Sequence, residues 1–155
     1  MGVGVPDVLN KGNGSGGTEK QRGVTKTKIM LVDDEPDINA ALKVVLTRAG
    51  FSVDTFEDPT VALENLKPRM YDLVILDLKM PIMDGFELYH EIKKIDKDMK
   101  ICFLTASELF FEKLREKKYA TLDKNLFIRK PIPNADLLEK INTILHRDSS
   151  ANVQE

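Results

Sequence analysis

Apolar residues along this chain follow two alternating rhythms. The unbroken runs Ile29-Met30-Leu31-Val32 and Leu73-Val74-Ile75-Leu76 read as strands buried on both faces. With their neighbours they predict strands over 28–33, 51–56, 71–77, 100–105 and 126–129. Between these runs the apolar positions recur three and four residues apart, as amphipathic helices require. Pro36 opens the first helix, with Asp37 in its first turn, Gly50 past its end and an apolar stripe of Ile38, Leu42, Val45, Leu46 and Ala49. Pro59 opens the second and Pro68 closes it. A third covers 85–95 with Phe86, Tyr89 and Ile92 on one face, and a charged fourth covers 107–118. The last spans 134–145, with Asn134 as its cap and Leu137, Leu138, Ile141, Ile144 and Leu145 as its stripe.

Five strands alternating with five helices predict an α/β protein whose parallel sheet is wrapped on both faces, because parallel neighbours need crossovers and crossovers are right-handed. The folded domain is expected over 27–147. Seven of the nine glycines lie in the first 26 residues, so 1–26 reads as a flexible tail, and 148–155 as a short disordered one. The stretch GNGSGG suits a natural or an engineered linker equally.

Composition narrows the function classes. The 23 basic and 25 acidic side chains leave a net charge of -2, with no excess for binding a polyanion, so nucleic acid is not implied as a direct ligand. No stretch approaches the roughly 20 apolar residues of a membrane helix, and no signal pattern opens the chain, so a cytoplasmic protein without membrane insertion is expected. Cys102, the single cysteine, lies in an apolar run and reads as a buried, inert hydrophobe.

The strand ends carry the candidate chemistry. In parallel sheets ligands sit beyond the carboxyl ends of the strands. The first expected strand ends in Asp33-Asp34, the third in Asp77, the fourth in Thr105, and the fifth runs into Lys130. Clustered carboxylates repel, and a hard cation such as Mg²⁺ would join them. A carboxylate held beside Mg²⁺ can attack phosphorus and form an aspartyl phosphate. Lys130 and Thr105 would then neutralise and hydrogen-bond the phosphoryl oxygens. Taken singly, Asp34 reads as a cap, Thr105 as a strand former and Lys130 as a solvated cation. Their joint occurrence at four strand ends favours the site. Asp84-Gly85 reads as a turn with a structural role.

The segments MLVDDEPD, ILDLKMPIMDGFEL, FLTAS and FIRKPI resemble the receiver domain of two-component response regulators, including stand-alone chemotaxis-type receivers, over about residues 27–147. That resemblance implies a flavodoxin-like sheet of order 2-1-3-4-5. It also implies that Asp77 accepts phosphate from a sensor histidine kinase, a histidine phosphotransfer protein or a small donor such as acetyl phosphate. Asp34, Asp77 and the backbone carbonyl of Lys79 would ligate Mg²⁺, with Asp33 acting through metal-bound water. Thr105 and Phe127 would form the switch, the Lys130-Pro131 bond would be cis, and Lys79 and Ser107 would tune dephosphorylation. The stretch from Thr105 to Lys130 is slightly longer than is usual in the family, which affects the output face.

The implied function is a single-domain response regulator, not an enzyme beyond its own phosphoryl transfer and autodephosphorylation, with its effect exerted on an unknown protein target. A phosphorelay intermediate, a phosphate sink and a non-switching interaction module are the alternatives. Phe111 and Tyr119 are expected in a docking or homodimer surface, with partial burial as the equal alternative. A dehalogenase-type phosphatase is disfavoured because Lys79 stands where its second acid belongs, and a flavin protein because Asp33, Asp34 and Glu35 would repel its phosphate.

Overall fold

A computed structural model of the chain describes residues 26–106 and 121–147. Five parallel strands form one sheet: β1 (Lys28–Val32), β2 (Ser52–Phe56), β3 (Leu73–Leu76), β4 (Lys100–Thr105) and β5 (Phe127–Arg129). Their spatial order is β2-β1-β3-β4-β5. Four helices are described: α1 (Pro36–Arg48), α2 (Pro59–Glu64), α3 (Gly85–Ile95) and α4 (Asn134–Leu145). The helix expected over 107–118, with Phe111 and Tyr119, lies outside the described residues, as do both terminal tails apart from Lys26.

Alternation along the strands builds two cores. Met30, Val32, Val74, Leu76, Ile101 and Phe103 point to one face and pack under Ala62 of α2 and Phe86, Leu88 and Ile92 of α3. Ile29, Leu31, Leu73, Ile75, Cys102 and Leu104 point to the other, under Leu46 of α1 and Leu137, Ile141 and Ile144 of α4. Each fully buried aliphatic or aromatic side chain contributes roughly 1.5–3 kcal/mol, so the central strands anchor the domain. Phe103 is the hub of an aromatic group: its ring stacks on Phe127 at 4.8 Å and tilts against Phe86 at 5.3 Å and Tyr89 at 5.8 Å. Burial pushes the Cys102 thiol up to about 12, which keeps it inert.

Several boundaries differ from the sequence reading, each for a local reason. Helix α2 stops at Glu64, because Asn65 takes the capping place and its side chain donates to the Val61 carbonyl at 2.8 Å. Pro68 therefore falls in the loop beyond. Asn134 is not the cap of α4: Pro133 occupies that place in extended conformation without a side-chain capping bond, and Asn134 is the first helical residue. Residues Lys124–Leu126 form a short 3-10 turn, so β5 begins at Phe127. On α1 the buried positions are Asn39 and Leu46, while Ala49 is exposed. Gly50 has φ +103, a left-handed conformation that suits glycine just past the helix.

Phe103→Ala should lower the unfolding free energy by about 3–5 kcal/mol in urea titrations followed by circular dichroism. A loss below about 1 kcal/mol would show that the aromatic group does not centre this core.

Candidate functional site

Strand register brings the candidate side chains together. Val32 lies level with Leu76, and Leu76 level with Phe103. Asp33 and Asp77 therefore follow adjacent strand ends side by side. Asp77 remains tied to the sheet through its backbone N–H, which donates to the Val32 carbonyl at 3.0 Å. Thr105 lies level with Arg129, and the next backbone N–H, that of Lys130, donates to the Thr105 carbonyl at 3.0 Å. All four strand ends open into one cleft, lined by Asp34, Asp77, Lys79, Thr105, Ala106 and Lys130 among others. A larger cleft at the opposite end of the sheet, beside Thr27, Asp72 and Lys100, brings no comparable acid cluster together among the described residues.

Carboxylate oxygens of Asp33, Asp34 and Asp77 lie within 4.8 Å of one another, the one such cluster of acid, histidine or cysteine ligands among the described residues. Asp33 is buried and held at both oxygens: Oδ1 accepts from the Glu35 backbone N–H at 2.9 Å, and Oδ2 accepts from Lys130 Nζ at 3.3 Å. Lys130 Nζ lies 3.9 Å from Asp77 Oδ1. The bond from Lys130 to Pro131 is cis. Thr105 is 1% exposed, and Phe127 is buried with its ring stacked on Phe103. Ser107 lies outside the described residues.

Electrostatics distinguish Asp77 from an ordinary acid. Burial, then repulsion from Asp33 and more weakly from Asp34, raises its pKa from 3.8 to about 7, against the opposing pull of Lys130. One ammonium against three carboxylates leaves excess negative charge in a partly desolvated site. This all-oxygen donor set fits a hard divalent cation, Mg²⁺ in particular.

The loop after Asp77 is tightly constrained. Asp84 caps α3 and forms a reciprocal capping box with Glu87. The Gly85 N–H donates to the Leu78 carbonyl at 2.9 Å. A Cβ at Gly85 would meet the Asp77 carbonyl oxygen at 2.5 Å and Leu78 Cα at 2.9 Å. Gly85 thus sets how closely α3 sits on the Asp77 backbone. The turn pattern located this glycine, but only the packing reveals that it bears on Asp77. Within the same loop the Met83 N–H donates to the Pro81 carbonyl at 2.6 Å around Ile82, which has φ +70 and is 76% exposed. Such a γ-turn is strained for a β-branched residue.

Comparison with known proteins gives the class. The family model for the response regulator receiver domain matches residues 29–142. This chain belongs to that family, whose members act in two-component signalling with histidine kinases and downstream targets. It is 29% identical over 128 residues to the transcriptional regulatory protein PrrA of Mycobacterium tuberculosis, covering 83% of this chain and 54% of that protein. It is 34% identical over 127 residues to the probable transcriptional regulator ycf27 of Guillardia theta, covering 82% and 48%. The match therefore spans about half the length of these curated relatives. Among solved structures, the non-phosphorylated HemR receiver domain of Leptospira biflexa is similar with a TM-score of 0.67 at 30% identity, covering 79% of this chain and 96% of that one. TrrA of Thermotoga maritima, solved in complex with Mg(2+)-BeF, has a TM-score of 0.62 at 34% identity, covering 76% and 98%. Among the described residues, no helix is long and apolar enough to cross a membrane.

The raised pKa of Asp77 fixes the sign of a pH effect. A carboxyl more basic when folded than when unfolded adds stability below about pH 4, and that stability is lost as pH rises through about 7. In chelator-treated protein, Asp77→Asn should remove this decline and be more stable than wild type by roughly 1–3 kcal/mol at pH 8. Parallel pH–stability curves for the two proteins would contradict it. Separately, Gly85→Ala should cost about 1–3 kcal/mol through displaced backbone, read from urea midpoints.

Proposed function

We propose that the chain is a phosphorylation-dependent switch in which Asp77 is the phosphoacceptor. The observation that carries this reading is the convergence of Asp33, Asp34, Asp77, Thr105 and Lys130 at one sheet edge. One Asp77 carboxylate oxygen attacks phosphorus in line. An O–P bond forms while the P–N bond to a donor histidine breaks, and the bond's electron pair leaves with the imidazole. With acetyl phosphate, the P–O bond to acetate breaks instead. Lys130 offsets negative charge on the phosphoryl oxygens, and the Thr105 hydroxyl donates a hydrogen bond to one of them.

Asp34, Asp77 and the Lys79 carbonyl would hold Mg²⁺, with Asp33 reaching it through water. When bound, the ion would supply charge neutralisation at the acceptor and the phosphoryl group. The similar protein TrrA was solved in complex with Mg(2+)-BeF, which supports Mg²⁺ as the ion. Each molecule accepts one phosphoryl group and later loses it to water, so the chain is its own substrate rather than a turnover enzyme for another one. Lys79 and Ser107 tune that loss. Phe127 and Thr105 transmit the phosphorylated state to a surface that binds a protein target, inside the same chain or on another. The donor is a sensor histidine kinase or a histidine phosphotransfer protein, and the exchange takes place in the cytoplasm.

Incubation with acetyl phosphate and Mg²⁺ should add one phosphoryl group by intact-mass analysis, stable in acid and released by base or hydroxylamine. Chelation of Mg²⁺ and Asp77→Asn should each abolish the addition. Undiminished labelling of Asp77→Asn would overturn the assignment.

A further inference from the structure

We infer that Asn39 is a positioning residue for the acid pocket, an inference that rests on the metal-assisted reading of that site. Asn39 lies in α1 and is 4% exposed, a place where a hydrocarbon side chain would ordinarily be favoured. Its amide Nδ2 donates to the Asp33 carbonyl at 2.8 Å and to the Phe56 carbonyl at 3.3 Å. Phe56 is the last residue of β2, and Asp33 follows the last residue of β1. One side chain therefore clamps the neighbouring strand ends to the helix that follows them.

The clamp leaves Asn39 Oδ1 without a hydrogen-bond partner, the one such buried side-chain atom among the described residues. An orphaned buried acceptor is unfavourable, and a leucine of similar size would avoid it. Leucine would also take both amide donors away from the strand ends. The amide is therefore explained by its two donors and not by packing.

The shorter of the two bonds acts on the backbone of Asp33, whose other groups are also held. Its N–H donates to the Phe56 carbonyl at 3.1 Å, and its carboxylate meets Glu35 and Lys130. Asn39 is the part of this network that fixes the peptide joining Asp33 to Asp34, and hence the direction in which both carboxylates leave the chain. Its hydrogen bonds go to backbone carbonyls and not to the carboxylates of Asp33, Asp34 or Asp77. Loss of partners of this indirect kind typically weakens metal affinity about 10–100-fold.

The test compares wild type with Asn39→Leu, with the smaller Asn39→Ser as a variant less prone to misfold, and with Leu46→Ala. Leu46 is fully buried on the same helix but packs in the core, away from the acid pocket. Urea midpoints report stability, amide chemical shifts titrated with Mg²⁺ report affinity, and acetyl phosphate labelling is timed at low and saturating Mg²⁺. Both Asn39 variants should bind Mg²⁺ about tenfold more weakly, while Leu46→Ala, though less stable, should stay within about twofold of wild type. Labelling of the Asn39 variants should be slow at low Mg²⁺ and largely restored at saturation. Wild-type Mg²⁺ affinity in both Asn39 variants, or equal weakening in Leu46→Ala, would overturn the inference. Failure of wild type itself to bind Mg²⁺ or to label would overturn the functional reading, and this inference with it.

Discussion

Repulsion among Asp33, Asp34 and Asp77 is the constraint around which the rest of this domain is arranged. Carboxylate oxygens within 4.8 Å of one another do not stay together in a partly desolvated cleft without compensation. Lys130 compensates in part, reaching Asp33 at 3.3 Å and Asp77 at 3.9 Å from the far side of the sheet. What remains uncompensated suits a hard divalent cation and, on the functional reading, gives Asp77 the charged surroundings in which phosphoryl transfer becomes feasible.

Holding those charges in place demands a rigid frame, and the two cores supply it. Strands β1 and β3 are buried on both faces, so the residues just beyond their ends inherit the register of the sheet. Further restraints act at the ends themselves. The Glu35 N–H fixes one oxygen of Asp33, the Asn39 amide fixes its carbonyl, and Gly85 lets α3 approach the Asp77 backbone closely. None of these groups performs chemistry. Each restricts where a charged group can go.

The aromatic group links this frame to Thr105. Phe103 and Phe127 face one another on adjacent strands and stack in parallel, two residues before Thr105 and three before Lys130 respectively. On the proposed function, a change at the phosphoryl position acting through Thr105 and Lys130 would therefore reach a packed side-chain arrangement rather than a soft surface. Packed arrangements of this kind change in steps, which is what a switch requires.

Much of this was legible in the chain alone. Runs such as Leu73-Val74-Ile75-Leu76 read as strands covered on both sides, and the acids, hydroxyl and lysine at the strand ends pointed to one edge of the sheet. Local hydrogen bonding escaped the pattern: Pro133 rather than Asn134 precedes α4, and Asn65 ends α2 before Pro68 is reached. Asn39 escaped because its value lies in two carbonyls, one of them 17 residues away on another strand. Gly85 was visible as a turn, but its contact with the Asp77 backbone exists only after α3 has packed. Which groups stand at the strand ends follows from the chain's own pattern, because periodicity and residue chemistry are local properties. How those groups are held, and how strongly Asp77 is perturbed, emerges only on folding, because burial and charge proximity arise between segments distant in the chain.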